Sequence, residues 1–402
     1  MLNIEEIRRQ FPLLTGDSPV IYFDSGATSL KPQPVIDRVC RYMSRYPVSV
    51  HRGMHHLSEE AGRLFEEART VTAGFIGAES PEQVIFTGNA TMSINLTARS
   101  LKRLVSPTRR RILIFSSEHH SNIIPWINLR EEGFLPEIIP VDPMGRISIQ
   151  NLGNHLNDRT ALVAMAGVTN VLGIINPWEE ACGMAHDAGA LFLLDWAQGA
   201  GRIPLNVSLK GPDFVAFSAH KMFGPTGVGV LYGKPGLIEK MQALAPGGGT
   251  VEDVTPEGYT ISPIPRHLEG GTPPIAGVIG LGAAVEWIES AGLENIARHE
   301  EELLEYGVKR LSSIPGVTLY GPDETRHRTG IIALNLEGWH CLEVCSMLDR
   351  SGRICLRGGM LCASLQVRAL CPDGVIRISF GPYNTAGEID RLGEILEEMT
   401  AL

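Results

Sequence analysis

The sequence lacks the features of a membrane, secreted or nucleic-acid-binding protein. Its most apolar stretch, residues 161–175, is interrupted by Thr169 and Asn170 and is too short to cross a bilayer. The net charge of −10 favours no polyanionic partner such as nucleic acid. The start, MLNIEEIRRQFPLL, carries early acidic residues and no apolar core, which predicts no signal peptide. We therefore expect a cytoplasmic protein with neither a membrane nor a nucleic-acid partner.

Cysteine is sparse and is not arranged in pairs. There are seven cysteines, an odd number, and no two of them form a Cys-x-x-Cys motif. In a cytoplasmic protein of this size such cysteines are expected to be thiols, and most of them to fill the core. Any catalytic cysteine has to be identified by its surroundings. The cysteines are Cys40, Cys182, Cys341, Cys345, Cys355, Cys362 and Cys371.

Composition and pattern predict an α/β protein of two domains. With 44% hydrophobic and 20% charged residues, the 402-residue chain has the composition of an ordinary globular protein. Short apolar runs alternate with helical segments between residues 84 and 233, which indicates a mostly parallel sheet covered by helices on both faces. The stretch 243–275 is rich in Gly, Pro and Thr and marks the clearest break. The predicted bounds are 15–265 for the large domain, and 1–14 with 266–402 for a small α+β domain.

Polar residues follow the predicted strands at the points where these strands end. Ligands of such sheets bind beyond the carboxyl ends of the strands, so these residues are candidates for one site. They are Thr91, His119, Asn170, Asp195, Gln198 and Lys221.

One lysine stands just past a buried strand, in the segment FSAHKMFGPTG. An amine in the interior of an α/β protein is costly unless it is neutral or covalently engaged. Lys221 is therefore either a surface lysine in a turn or a lysine that forms a Schiff base with a cofactor. The second interpretation requires partners elsewhere in the chain.

Two further residues fit a pyridoxal 5'-phosphate (PLP) site. Asp195 closes the apolar strand ALFLLD, where it either caps the next helix or pairs with the nitrogen of a pyridine ring. Gln198 follows three residues later and could reach the ring oxygen. His119 is either a core histidine or a ring that lies flat on an aromatic cofactor.

A phosphate group also has candidate ligands. The turn TGNAT precedes a helix predicted to begin near Ala90, and helix N-termini favour anions. Thr91, Ser218 and His220 add donors. A PLP site typically combines four groups: donors to the phosphate, a ring that stacks on the cofactor, an acid and an amine.

Taken in order, the motifs of the chain resemble those of the class V aminotransferase family of fold-type I PLP enzymes. Within that family they are most similar to the SufS-type, group II cysteine desulfurases, from about residue 10 to about residue 395. The motifs are YFDSGATS, HRGMHHLS, SEHHSNIIPW, TNVLG, LLDWAQGAG, FSAHKMFGPTGVGVLYG, LEGGTPP and RISFGPYNT.

The resemblance implies a large domain with a seven-stranded sheet, and it implies a role for each residue of the PLP site. Lys221 forms the Schiff base, Asp195 pairs with the ring nitrogen, and Gln198 contacts the ring oxygen. His119 stacks on the ring, and Asn170 lies beside the ring and the substrate. Phosphate ligands are Ala90, Thr91, Ser218 and His220. A homodimer is also implied, with Thr272 of each chain reaching the phosphate of its partner.

The substrate residues come mostly from the C-terminal domain. Arg377 matches the arginine that binds the substrate carboxylate, and its planar fork suits that group. A strand arginine is usually solvated, but Ile376 and Ile378 beside it indicate that its own side opposes the core. Arg357 also matches the family pattern. Ala27, His51 and Arg52 are expected to line the site.

The resemblance implies that L-cysteine is converted to L-alanine, with the sulfur left as a persulfide on Cys362. His119 would assist protonation. An acceptor protein would take the sulfur, with iron–sulfur cluster assembly as one destination. The loop-like sequence before Cys362 favours an accessible nucleophile over a core cysteine. Met360 and Leu361 stand where the family pattern has two histidines.

Other interpretations stay open at this point. A selenocysteine lyase, another C–S lyase, or an aminotransferase or epimerase of the same fold would not need Cys362. A scaffold protein that keeps the fold would not need Lys221, Asp195 and His119 together. His51 and His55 have the spacing of a metal pair on a helix, but no acidic or cysteine ligand is near them in sequence, so we expect no metal.

Overall fold

The computed structural model describes residues 2–17, 19–51, 53–208 and 211–401. Strands in these ranges are β1 (Ile21–Tyr22), β2 (Val84–Thr87), β3 (Arg111–Phe115), β4 (Leu135–Ile139), β5 (Thr160–Ala166), β6 (Leu191–Asp195), β7 (Phe214–Ser218), β8 (Gly229–Gly233), β9 (Val251–Thr255), β10 (Gly258–Ile261), β11 (Val317–Tyr320), β12 (Ile331–Leu336), β13 (Ile354–Cys355), β14 (Arg357–Gly359) and β15 (Val375–Ser379).

The helices in the same ranges are α1 (Ile4–Arg9), α2 (Pro12–Thr15), α3 (Gln33–Arg45), α4 (His56–Phe75), α5 (Ala90–Leu104), α6 (Ile124–Asn128), α7 (Ile149–His155), α8 (Trp178–Asp187), α9 (Pro235–Ile238), α10 (Ile275–Ala291), α11 (Leu293–Ser312), α12 (Cys341–Gly352), α13 (Ser364–Leu370) and α14 (Ala386–Thr400).

A seven-stranded sheet forms the centre of the large domain. Its strand order is β2-β8-β7-β6-β5-β3-β4. Strand β8 is antiparallel to both of its neighbours, and the other pairs are parallel. Six strands therefore end at one edge of the sheet, as expected for a mostly parallel sheet, and the predicted fold class is confirmed.

The sheet is covered on both faces because its central strands are apolar along nearly their whole length. Strand β5 is buried throughout. Its alternate residues point to opposite faces: Val163 and Met165 join one apolar cluster, and Leu162 and Ala164 join another. The strand ends at Ala166, two residues before the predicted Val168, and its carboxyl end opens toward the polar residues of the site.

A second, antiparallel sheet carries the C-terminal residues. Its order is β11-β12-β15-β14, and helices α11, α12 and α14 pack with it around a separate apolar cluster. The predicted helix CLEVCSMLDRSG is confirmed as α12, and the two predicted strands as β12 and β15. This region is α+β, as the sequence indicates.

The segment after β1 is inserted into this second region. Strand β1 pairs in parallel with β13, and Asp24 forms an isolated bridge with Ser379. Phe23 N–H donates to the Cys355 carbonyl at 2.8 Å, and Ser379 N–H donates to the Phe23 carbonyl at 2.7 Å. A segment from near the N-terminus thus lies between two C-terminal strands, and the residues after it reach the site.

Helix α10 and the N-terminal residues Ile7 and Phe11 belong to the same apolar cluster as one face of the large sheet. Arg8 meanwhile contacts Glu388 at 2.7 Å, so this end of the chain joins both regions. The domain bounds given by the sequence stay a prediction. No single described helix has the length and hydropathy of a membrane span; α10 and α11 meet the criteria only as a pair that is bent by 74°.

Candidate active site

The carboxyl edge of the large sheet and the C-terminal region enclose a cavity of about 440 Å³, called here the first cavity. Most of the site residues proposed from the sequence line it. These are Ala27, Ala90, Thr91, His119, Asn170, Asp195, Gln198, Ser218, His220, Lys221, Arg357, Cys362 and Arg377.

Lys221 lies in a single 3₁₀ turn that directly follows β7. The Ala219 N–H at the start of this turn donates to the Val228 carbonyl at 3.0 Å, which ties the turn to the segment entering β8. Burial lowers the pKa of the Lys221 amine to about 8, while the Asp195 carboxylate opposes that shift. Near neutral pH roughly a tenth of this amine is uncharged, so it can act as a nucleophile or a base.

Asp195 ends β6 with its carboxylate buried beside the first cavity. Its Oδ1 accepts a hydrogen bond from the Ala197 N–H at 2.9 Å. Burial raises the pKa of Asp195, and both this N–H and Lys221 oppose the shift. A buried carboxylate of this kind stabilises a cationic or protonated partner that enters the cavity.

A second buried carboxylate, Glu118, lies near Asp195, and the sequence did not single it out. Its oxygens accept from the Ala166 N–H at 2.9 Å and the Asn122 side chain at 2.7 Å. Burial raises the pKa of Glu118 to about 8, and these two donors oppose the shift. The segment SSEHHSN reads as polar surface, and only the tertiary structure reveals that Glu118 is enclosed.

The N-terminus of α5 forms one end of the first cavity. The Asn89 side chain caps the helix by accepting from the Met92 N–H at 3.0 Å. The Ala90 N–H donates to the Ser218 hydroxyl at 2.8 Å, and the hydroxyls of Thr91 and Ser121 lie 2.7 Å apart. The end of the cavity therefore presents hydroxyl donors at the positive end of a 15-residue helix, which suits a phosphate.

His119 presents a neutral ring to the first cavity. Its Nδ1 accepts from the Ser121 N–H at 3.1 Å, which assigns the ring proton to Nε2. Burial, with the cations of Lys221 and Arg377 nearby, lowers the pKa of His119 to about 3. The ring is therefore uncharged at neutral pH, as suits an imidazole stacked on another ring.

Two arginines and an amide side chain also line the first cavity. Arg377 on β15 is buried and donates from Nη1 to the Asn170 carbonyl at 2.9 Å. Arg357 on β14 is half exposed, and both arginines contact Asp24. Asn170 donates from Nδ2 to the Leu361 carbonyl at 2.8 Å, while its buried Oδ1 has no partner among the described residues. Asp24, although present in a quoted motif, was not identified as a site residue.

Cys362 is exposed on a segment, residues 359–363, called here the thiol loop. Leu361 and Cys362 have φ values of 50° and 53°, the left-handed region that costs a non-glycine residue about 1 kcal/mol or more. The Cys362 carbonyl accepts from the His120 N–H at 2.7 Å, and His120 Nε2 accepts from the Ser364 N–H at 3.1 Å. The backbone N–H and the ring of His120 thus hold the thiol loop in this conformation.

His51, which was expected to line the site, and Thr272, which was expected at the phosphate of the partner chain, both lie outside the first cavity of their own chain. His51 and Thr272 line a second cavity of about 550 Å³ that also contains Arg266 and Glu269. Arg52 lies outside the described residues. His55 caps α4 by accepting from the Ser58 N–H at 3.3 Å, and no group of three or more potential metal ligands occurs in the described ranges.

The fold and the first cavity are those of a class V aminotransferase-type protein, and the chain belongs to that family. The family described as aminotransferase class-V matches residues 21–392. The chain is 42% identical to a probable cysteine desulfurase of Halalkalibacterium halodurans, covering 99% of this chain and 98% of the relative. It is 39% identical to a cysteine desulfurase of Yersinia pseudotuberculosis, covering 99% and 98%.

Solved structures agree with this assignment. An apo cysteine desulfurase from Thermococcus onnurineus NA1 superposes with a TM-score of 0.94 at 36% identity, covering 100% of this chain and 99% of the other. The cysteine desulfurase CsdA from Escherichia coli gives a TM-score of 0.91 at 31% identity, with the same coverage. The resemblance found in the sequence is confirmed over the whole chain.

Proposed function

We propose that the protein is a PLP-dependent cysteine desulfurase, which converts L-cysteine to L-alanine and keeps the sulfur as a persulfide on Cys362. One observation carries this proposal: an amine, a carboxylate-binding arginine and an exposed thiol face the same cavity. They are Lys221, Arg377 and Cys362. The relatives named above, which match along the full length, support the same activity.

The residues of the first cavity fit PLP from end to end. Thr91, Ser218 and the N-terminus of α5 suit the phosphate, and Asp195 suits a protonated ring nitrogen. The buried Oδ1 of Asn170 lacks a partner among the described residues, so it can accept from a ligand. Gln198 donates from Nε2 to the Gly26 carbonyl at 2.7 Å, and the second hydrogen of that amide group would be available to the ring oxygen.

When bound, PLP supplies an electron sink for the α-carbon of an amino acid. Lys221 is positioned to take and return the α-proton, because burial keeps part of its amine uncharged. Asp195 would hold the ring nitrogen protonated, and the neutral His119 ring, which also lines the cavity, would lie against the cofactor. Arg377 and Arg357 orient the substrate through its carboxylate.

Cys362 is the residue that accepts the sulfur of the substrate. Its thiolate sulfur forms an S–S bond with the substrate sulfur while the C–S bond of the substrate breaks. The electron pair of that bond stays on carbon, which takes a proton and gives L-alanine. The persulfide remains on the exposed thiol loop, where an acceptor can reach it.

A homodimer would complete the site. Thr272 and His51 lie together at the second cavity of the same chain and not at the first cavity. Two copies related by a twofold axis could bring the Thr272 hydroxyl of one to the phosphate end of the other. A sulfur-acceptor protein, with iron–sulfur assembly as a destination, is a further part of the proposal. The cytoplasmic location stays a prediction.

The experiment is intact-protein mass spectrometry after brief exposure to L-cysteine, with alanine measured in the same sample. We expect a gain of one sulfur and release of alanine, both lost in Cys362→Ser and both retained in Cys40→Ser, a matched change at an exposed cysteine. Equal alanine from wild type and Cys362→Ser would indicate a lyase that bypasses the thiol. A cofactor-loaded protein that makes no alanine would contradict the proposal.

A further inference from the structure

Two arginines of the first cavity share one carboxylate, that of Asp24. Arg357 donates from Nε to both oxygens, at 3.2 and 3.1 Å, and from Nη2 to Oδ2 at 2.8 Å. Arg377 donates from Nη2 to Oδ1 at 3.2 Å. Asp24 therefore joins an arginine on β14 to an arginine on β15.

The two arginines differ greatly in exposure, so Asp24 has a different effect on each. The Arg377 side chain is 3% exposed and that of Arg357 is 51% exposed. Among the described residues Asp24 is the carboxylate that contacts Arg377, whose Nε is buried without a partner. Asp24 thus neutralises a buried cation and keeps a half-exposed arginine from extending into solvent.

The backbone fixes Asp24 in place. Its neighbours on both sides are hydrogen-bonded to the C-terminal strands: Phe23 N–H to the Cys355 carbonyl at 2.8 Å, and Ser25 N–H to the Ser379 carbonyl at 3.3 Å. Such a backbone-anchored carboxylate loses little entropy when it orients other side chains.

The charges leave room for one further anion. Two guanidinium groups and one carboxylate give the cluster a net charge of +1, which a single carboxylate neutralises. Burial lowers the pKa of Arg377 to about 10, and Asp24 opposes that shift, so Asp24 helps to keep Arg377 charged. The unpartnered Nε of Arg377 is a donor available to such an anion.

We infer that Asp24 is a positioning residue, which holds Arg377 and Arg357 as one subsite for the α-carboxylate of the amino-acid substrate. The inference rests on the proposed function in that the ligand is an amino acid, but it does not require desulfuration. Repulsion between Asp24 and the incoming carboxylate of the substrate acts against this role. The two effects predict opposite changes when the charge of Asp24 is removed.

The experiment compares binding of L-alanine and ethylamine to the PLP-loaded enzyme, by absorption and by calorimetry. These ligands differ only by the carboxylate, and neither has a sulfur to transfer. In Asp24→Asn we expect the Kd for L-alanine to rise about tenfold, the effect of one weakened charge-assisted contact, with little change for ethylamine. Asp24→Glu should recover part of the affinity, because it restores the carboxylate.

Asp213→Asn is the matched control. Asp213 is also a buried carboxylate that contacts a cation, Lys234, and the ring of His186, but it does not line the first cavity. It should change stability without changing the ratio of the two affinities. An unchanged ratio in Asp24→Asn, or tighter L-alanine binding, would overturn the inference.

A variant outside Asp24 allows the inference to be tested even if Asp24→Asn does not fold. Arg357→Gln removes a half-exposed side chain and leaves Asp24 free to occupy the fork of Arg377 alone. We expect L-alanine affinity to fall by about threefold or more relative to ethylamine, and an equal effect on both ligands would overturn the inference. Since alanine formation from L-cysteine is measured separately, failure of the desulfurase proposal and failure of this inference are distinguishable.

Discussion

Two parts of the first cavity differ in structure. One, called here the floor, is formed by Lys221 and Asp195, and the other, the thiol side, is formed by the thiol loop that carries Cys362. Lys221 and Asp195 stand at the ends of two strands that are buried or nearly buried along their length. Cys362 lies on an exposed loop that keeps two residues in left-handed conformations. Groups that set protonation on a cofactor have to be fixed and enclosed, whereas a sulfur that passes to another molecule has to be reached.

The largest effect is expected on the floor. Lys221→Ala removes both the amine that would bind the cofactor and the base at the α-carbon. We expect alanine formation from L-cysteine to fall by at least about 1,000-fold, together with loss of the cofactor band characteristic of a lysine adduct.

Lys234→Ala serves as the control for this change, because Lys234 pairs with Asp213 and does not line the first cavity. It should leave the rate and the spectrum near those of wild type. Wild-type turnover in Lys221→Ala would contradict the assignment of the floor.

Asp195→Asn tests the second group of the floor. The change keeps the size of the side chain and removes its charge, so a ring nitrogen beside it would no longer be held protonated. We expect kcat to fall by about 100-fold with a smaller change in KM, since the loss concerns the transition state more than binding. Steady-state alanine formation measures both, and a change confined to KM would assign Asp195 to binding alone.

The floor was predictable from sequence for a physical reason. Lys221 and Asp195 each follow a continuous apolar run, and the carboxyl ends of parallel strands meet at one edge whatever the details of packing. Asp24 was not predictable in this way, because it contacts Arg357 across 333 positions of chain and its own surroundings, YFDSG, read as a turn. Long-range contacts of this kind leave no local pattern.

Thr272 and His51 show a different limit. Their residue types and motifs matched the family, but in one chain they line the second cavity. For Thr272 the resemblance already implied that the partner chain supplies the residue, whereas for His51 the motif did not indicate which copy of the chain does. The proposed dimer accounts for both facts, and the molecular mass in solution tests it.

The thiol side should respond more mildly than the floor. His120→Ala keeps the backbone N–H that holds the Cys362 carbonyl, but it removes the ring nitrogen that accepts from Ser364. We expect persulfide formation to slow by about tenfold as the thiol loop loses one anchor, while the cofactor spectrum stays unchanged.

His120→Gln is the matched change for this prediction, because its amide oxygen can accept from the Ser364 N–H and should restore part of the rate. The reaction of Cys362 with iodoacetamide gives an independent readout. Equal rates of both reactions in wild type and His120→Ala would show that the ring does not hold the thiol loop.

The smallest effect is the dependence on pH, and it separates the floor from the histidines around it. The pKa values of His119 and His220 are lowered by burial to about 3 and about 4, so neither ring changes charge between pH 5 and 9. The Lys221 amine, whose pKa burial lowers to about 8, does change its charge in this range. Because the amine must lose its proton to act as a base, the rate of α-proton removal should rise with pH, with a midpoint near pH 8, and level off about one pH unit higher.

Lys31 has to be distinguished from Lys221 in this experiment, since burial lowers its pKa to about 8 as well. It donates to the His220 carbonyl at 3.0 Å but does not line the first cavity. The midpoint should therefore persist in Lys31→Met, measured as exchange of the α-proton of L-alanine in deuterated buffer. A midpoint near 6.5, or one that disappears with Lys31, would assign the proton transfer to a group other than Lys221.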